Sequence, residues 1–381
     1  MNLRQTIVDE IRRRGPIPFS RYMELCLYHP ELGYYSRHAE QFGKAGDFYT
    51  ASDIHAVFGR LVARQFEQMW RVLGCPQAIE IVELGPGRGL FAQDVLDWSE
   101  KKFPAFFGAL RYWLAERSPA LRERLENTLQ RHFRAGKASL TMFPSEPLPP
   151  VAFPSGRPVI IFANEFFDAL PVEVLSAEGE LRISEREGRF LETWALPSRE
   201  QLTFLDRYSV HPQLGERVEI PLIAQRQMAA VAASIPRGFL IAIDYGYTRQ
   251  DRLRGRYGGT IVTYRRHSVG RTPYEAPGEQ DISAHVNFTA LAAAAEEQGM
   301  LVEPLLTGTQ FLLGIGEPNQ LADAFEQCRR PEERTKVALQ LKHLVAPAGT
   351  GETFQVLVAS RGVEPDKVRT LDGLRLRHCP S

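Results

Sequence analysis

Residues 78–96, AIEIVELGPGRGLFAQDVL, constrain the fold of this chain more than any other stretch. An apolar run (Ile79, Ile81, Val82, Leu84) carries two acids, Glu80 and Glu83, and is followed by three alternating glycines, Gly85, Gly87 and Gly89. Leu90, Phe91, Val95 and Leu96 then recur at helical spacing. The pattern reads as buried strand, tight turn and helix. Glycine lets a backbone turn sharply and lets a ligand approach closely. A helix that starts in such a turn points its free N–H groups at whatever lies there and favours negative charge. The expectation is a nucleotide-like ligand at the first βα turn of a doubly wound sheet.

The rest of the chain supports that rhythm. Strands are expected at 78–84, 110–115, 138–143, 158–163, 239–243 and 300–306, with a last one at 353–359. Helices are expected at 3–14, 19–28, 53–71 (capped by Thr50 or Ser52), 90–101, from Ser118-Pro119 to about 132, 222–233, 288–298 and within 318–344. Strand–helix alternation implies a mostly parallel sheet with helices on both faces, and the last strand is expected to run antiparallel. Segments 171–176 and 181–195 alternate like a β-hairpin with a turn at Glu187-Gly188-Arg189, an insertion in the rhythm. Residues 251–285 read as irregular, the length of a functional lid or substrate loop. The expected division is a helical extension and glycine-rich loop (1–74), a Rossmann-like domain (75–362) with insertions near 171–220, 251–285 and 310–346, and a loosely held tail (363–381).

Composition excludes several classes. Lysine plus arginine and aspartate plus glutamate both number 46, so no net field favours nucleic acid or an anionic membrane. The four cysteines are far apart, which argues against a zinc ribbon or a disulfide framework, and the histidines form no metal-binding pattern. No apolar run is long enough to insert in a membrane, and the first residues carry Asp9 and Glu10 without a signal core. A cytoplasmic protein without metal is expected. The run Arg265-Arg266-His267 reads as solvated, with an acidic partner surface as the other possibility.

The glycine loop fits two cofactors. Gly87-Arg88-Gly89-Leu90-Phe91-Ala92 matches the dinucleotide pattern G-x-G-x-x-A. Three details point instead to S-adenosylmethionine. Glu83 stands where an ammonium would be met. The glycines form E-x-G-x-G-x-G. Glu116 closes the second strand, where a carboxylate accepts ribose hydroxyls. S-adenosylmethionine carries no phosphate and needs acceptors for its amine and ribose and backbone donors for its carboxylate.

Taken together and in order, eight stretches resemble the MidA-type class I methyltransferases, a family that includes the mitochondrial complex I assembly-factor methyltransferase. They are GPI…YM…HPELGYY (15–35), GDFYTAS (46–52), VELGPGRG (82–89), ERSPALR (116–122), ANEFFDALPV (163–172), IDYG (243–246), APGEQDISAHVNF (276–288) and TGTQFLLGIG (307–316). Leu90 and Phe91 depart from the Thr-Leu that many members have after the loop. The resemblance implies a seven-stranded class I methyltransferase sheet with an N-terminal helical extension and inserted substrate elements. It implies S-adenosylmethionine as cofactor and a protein substrate with a target arginine, such as a respiratory complex I subunit. Cofactor binding falls on Glu83, Gly85, Gly87, Gly89 and Glu116; Asp47 and Phe48, in the GDF stretch, read as a loop folding over the cofactor, with a turn that positions helix 53–71 as the alternative. Asn164, Glu165 and Asp168 match the family's N-E-F-F-D signature and are the candidate catalytic residues, Asp168 having a helix cap as its alternative role. Asp244, at the end of the fifth strand, either faces the site or caps a turn. Other readings stay open: another methyl acceptor, an NAD-dependent oxidoreductase, or a non-catalytic assembly chaperone.

Overall fold

The structure is a computed structural model that describes residues 2–37, 56–141, 156–253, 255, 259–265, 268–270, 272–345 and 350–378. The chain forms two units. One comprises residues 1–48, 166–228 and 246–293, the other residues 49–165, 229–245 and 294–381.

The second unit is built on a seven-stranded sheet. Its strands are β1 (Ile79–Leu84), β2 (Leu110–Ala115), β3 (Ala138–Thr141), β4 (Val159–Asn164), β5 (Gly238–Tyr247), β6 (Leu301–Val302) and β7 (Phe354–Arg361). Their spatial order is β6-β7-β5-β4-β1-β2-β3. Pairs from β3 to β5 are parallel, and β7 lies antiparallel to β5 and β6, as the chain's final strand was expected to. β1 is central and buried along its whole length, which is why it reads as a near-continuous apolar run. The expected strand 300–306 is two short pieces, Leu301–Val302 and Leu306–Thr307, both against β7. Pro304 lies between them and has no N–H to give to a ladder.

Helix Ala56–Val72 buries Val57, Phe58, Leu61, Val62, Phe66 and Met69, one apolar face at helical spacing. Its proposed caps, Thr50 and Ser52, lie outside the described residues. Phe91, in the first turn after the glycine loop, stacks on Phe162 of β4 with ring centroids 4.5 Å apart and planes 13° apart, and Phe66 packs edge-on to Phe162. These rings seat helix Leu90–Lys102 on the sheet and so fix where the loop sits. Ser118 caps Pro119–Thr128, accepting from the Leu121 amide at 3.4 Å.

The first unit contains helices Leu3–Arg14 and Phe19–Tyr28 and a five-stranded antiparallel sheet of Ile17–Pro18, Glu173–Ser176, Gly179–Arg186, Arg189–Ala195 and Val218–Ile220. The expected hairpin is present. Glu187 (φ 54°) and Gly188 (φ 77°) are both left-handed, as a two-residue type I′ turn requires. Leu3, Ile7, Phe19, Tyr22 and Met23 share a core with Val174, Leu181 and Ile183.

Three expectations fail. Residues 251–285 are not irregular throughout: Val262–Arg265 pairs antiparallel with Ser268–Val269 and with Asp281–Ser283. These strands are too short for alternation to show. Two helices were missed, Arg199–Tyr208 and Gly308–Gly316, each opened by a reciprocal capping box, Ser198 with Gln201 and Thr307 with Gln310. The C-terminal segment is not loose: Val368, Leu371 and Leu374 are buried in the core of the second unit.

Candidate active site

The chain leaves β1 through Gly85 (φ 66°), Gly87 (φ 54°) and Gly89 (φ 77°). The Gly85 amide donates to the Ala115 carbonyl at the end of β2 (3.1 Å), and the Gly89 amide closes a turn onto Pro86 (2.9 Å). Gly89 is the N-cap of helix Leu90–Lys102, so the helix directs its positive end into this turn. The two later glycines serve different ends. A Cβ on Gly89 would lie 2.7 Å from Leu125 Cδ2, whereas a Cβ on Gly87 would meet nothing within 4 Å. Gly89→Ala is therefore expected to cost about 2–4 kcal/mol in urea unfolding, from clash plus left-handed strain. Gly87→Ala should cost about 1 kcal/mol, from strain alone, with the larger loss in affinity for S-adenosylhomocysteine. Equal stability losses in the two variants would contradict this division.

Two buried acids flank the loop. Glu83, the penultimate residue of β1, is 5% exposed, and Glu116, just past β2, is 8% exposed. Glu83 Oε2 accepts from the Tyr112 hydroxyl at 2.9 Å. Glu116 Oε1 accepts from the Ser118 amide at 2.8 Å. Burial pushes Glu83 up to about 8; the Tyr112 hydrogen bond opposes the shift and the Glu116 charge adds to it. Burial likewise pushes Glu116 up to about 7, against the amides of Ser118 and Arg117 and the charge of Arg122. Among the described residues neither acid forms an ion pair. A ligand that brings an ammonium and a ribose diol to this corner supplies the donors these carboxylates lack, so the donor and acceptor set fits S-adenosylmethionine. Glu80 has no such place: it lies at the other end of β1, 3.5 Å from Arg157.

Asn164 and Glu165 lie at the carboxyl end of β4, the neighbour of β1, on the edge where ligands of such sheets bind. The Glu165 amide donates to the Ile243 carbonyl of β5 at 2.9 Å. Glu165 has φ 49°, a left-handed conformation that costs a non-glycine residue about 1–3 kcal/mol and gathers at functional sites. Asn164 Nδ2 donates to Glu165 Oε1 at 3.2 Å, and the buried Asn164 Oδ1 accepts no hydrogen bond among the described residues.

Asp168 belongs to the first unit. It is buried in the turn 167–170, and its carbonyl accepts from the Ala284 amide at 3.0 Å. No helix follows it directly, so the helix-cap alternative fails. Tyr35 donates to Asp281 Oδ1 at 2.9 Å; burial, then the charges of Asp281 and Asp168, push its hydroxyl well above the usual range. Asp244 is buried, and its Oδ1 accepts from the Tyr245 amide at 2.9 Å. Arg265 pairs with Glu279 at 2.6 Å on the surface. Arg266, His267, Asp47 and Phe48 lie outside the described residues. Tyr112 was not foreseen: in LRYWLA it reads as one more strand aromatic, and only the β1–β2 register, Ile81 opposite Tyr112, brings its hydroxyl to Glu83.

Among the described residues, no helix is long and apolar enough to cross a membrane. The family profile Methyltransf_28, described as "Putative S-adenosyl-L-methionine-dependent methyltransferase", matches residues 61–305. The mitochondrial protein arginine methyltransferase NDUFAF7 homolog of Drosophila melanogaster is 30% identical over 394 residues, 95% of this chain and 85% of that one. The mitochondrial protein arginine methyltransferase NDUFAF7 of Danio rerio is 28% identical, over 92% of this chain and 84% of that one. A Burkholderia thailandensis protein crystallised with S-adenosylhomocysteine superposes with a TM-score of 0.82 at 28% identity, covering 97% of this chain and 94% of that one. The glycine loop, the buried acids and the seven-stranded sheet thus stand in a chain that belongs to the Methyltransf_28 family of S-adenosyl-L-methionine-dependent methyltransferases.

Proposed function

We propose that this methyltransferase acts on arginine side chains of a protein partner, with a respiratory complex I subunit as the acceptor the family resemblance implies. The observation that carries the reading is Glu165, an acid held in a left-handed conformation at the carboxyl end of β4, with Asn164 hydrogen-bonded to it. Relatives named as arginine methyltransferases, alignable over nine-tenths of this chain, support it.

S-adenosylmethionine, when bound, supplies an electrophilic methyl carbon on a sulfonium. In this reading Glu83 accepts the cofactor amine, Glu116 accepts the ribose hydroxyls, and the turn Gly85–Gly89 offers backbone donors to the carboxylate. Asp47 and Phe48 keep the assignment to the cofactor read from the GDF stretch. An arginine side chain arrives protonated, with its lone pairs delocalised. Glu165 accepts two N–H bonds from the guanidinium, draws its positive charge toward the carboxylate and leaves the remaining nitrogen facing the methyl. Transfer would break the sulfonium S–CH3 bond and leave a neutral thioether, and the proton displaced from the attacking nitrogen would pass to Glu165 or to water. Asn164 keeps the Glu165 carboxylate in place, and positioning supplies much of the rate. Asp168 is assigned to acceptor binding as the next acid of the N-E-F-F-D signature.

The test is transfer of a radiolabelled methyl group into lysate from a strain lacking this gene, with the labelled residue identified by mass spectrometry. The expected result is a labelled protein band whose label resides in methylarginine. Label confined to lysine, another side chain or a small-molecule fraction would overturn the arginine assignment.

A further inference from the structure

Tyr112 is an unassigned residue with a defined position beside the loop. Its hydroxyl is buried on β2, 2.9 Å from Glu83 Oε2, and among the described residues it is the one hydrogen-bond donor to the Glu83 carboxylate. A buried phenol needs a partner, and a buried carboxylate needs a donor. The parallel register fixes the match, because Tyr112 stands opposite Ile81, two residues before Glu83 and on the same face. We propose that Tyr112 is a positioning residue of the cofactor site: its phenol holds one oxygen of Glu83, fixing the carboxylate so that the other oxygen is presented to the cofactor's amine.

This inference rests on the assignment of Glu83 to the cofactor and is independent of the methyl acceptor. It has a consequence for protons. The groups that act on Glu83 are Tyr112 and Glu116; burial and the Glu116 charge favour the neutral acid, while the phenol favours the carboxylate. Binding an ammonium requires the carboxylate, so cofactor binding near neutral pH releases a proton. Without the phenol, the carboxyl loses both its fixed direction and the one group that favours its ionised form.

The experiment is calorimetric titration of S-adenosylhomocysteine into the full chain from about pH 6 to about pH 8.5, in buffers of different ionisation enthalpy. The chains compared are wild type, Tyr112→Phe, Glu83→Gln and the double variant. Phenylalanine keeps the ring that fills the core, and circular dichroism checks that each variant is folded. Tyr112→Phe is expected to weaken binding about tenfold at pH 7, the scale of one hydrogen bond to a charged group. It should also move the pH at which affinity rises upward by about one unit, a shift that a merely structural role would not produce. In the Glu83→Gln background, Tyr112→Phe should add little. Wild-type affinity and pH profile in Tyr112→Phe, with Glu83→Gln weakened, would overturn the role of Tyr112 alone. Undiminished binding by Glu83→Gln would overturn the Glu83 assignment and this inference with it. Neither result touches the arginine assignment, which is read from methyl transfer.

Discussion

Glu165→Gln is expected to lower methyl-transfer turnover by about a hundredfold to a thousandfold, the range for loss of one preorganised electrostatic contact. The affinity for S-adenosylhomocysteine should stay within about twofold. The amide keeps the size of the side chain and one acceptor. In the proposed arginine reading it loses the charge that offsets the guanidinium and puts a donor where an acceptor is required, so the effect should fall on turnover with protein acceptor more than on cofactor binding. Asn164 Nδ2 still finds the amide oxygen, so the local hydrogen bond survives. The backbone supplies a control. Because Glu165 has φ 49°, Glu165→Gly relieves left-handed strain and should unfold no more easily than wild type in urea, or be more stable by about 1 kcal/mol. A residue kept in such a conformation at the expense of stability belongs to function; one whose replacement by glycine both destabilises the chain and leaves turnover intact belongs to the fold. Unchanged turnover in Glu165→Gln would remove Glu165 from the mechanism.

What could be read in advance follows from how local each signal is. β1, the glycine loop and helix Leu90–Lys102 were legible because pattern and turn chemistry lie within 25 consecutive residues. Ser118-Pro119 announced its helix for the same reason. Ser198 with Gln201 and Thr307 with Gln310 were equally local but pass for ordinary polar residues, and the helices they open went unseen. The sheet of 262–283 depends on pairing between short strands, Val262 opposite Ser283, that no period reveals. The site divides the same way. Glu83 and Glu116 are legible from their positions at the ends of strands, Glu83 as the penultimate residue of β1 and Glu116 just past β2. The Tyr112–Glu83 bond, the left-handed backbone of Glu165 and the burial of both acids arise only when β1, β2 and β4 lie side by side. The placement of Asp168 in the first unit was likewise invisible, three residues from Glu165 in the chain.

Glu83→Gln should make the ligand-free protein more stable at alkaline pH while weakening its hold on the cofactor. In the folded chain burial lifts this carboxyl from 4.5 to about 8. Between those values the folded state keeps a proton that the unfolded chain gives up. The stability due to this group is therefore fully present below about pH 4.5 and is lost as pH rises through about 8. At 1.36 kcal/mol per unit, the ligand-free protein should lose on the order of 5 kcal/mol from this one group by about pH 9. Glu116, lifted from 4.5 to about 7, adds a loss of the same sign that is complete at lower pH. Thermal melts of wild type should thus fall steadily from about pH 5 to about pH 9. Glutamine removes one of the two steps, and its amide oxygen can still accept from Tyr112, so no buried hydroxyl is orphaned. Its melts should be flatter and higher than wild type above about pH 8. Saturating S-adenosylhomocysteine should flatten the wild-type profile, since a ligand that binds only the folded chain stabilises it by mass action, and should do much less for the variant. A Glu83→Gln protein less stable than wild type at about pH 9 would mean that the acid is a structural anchor. Instability confined to the ligand-free wild type would mark it as a site held ready for a cation.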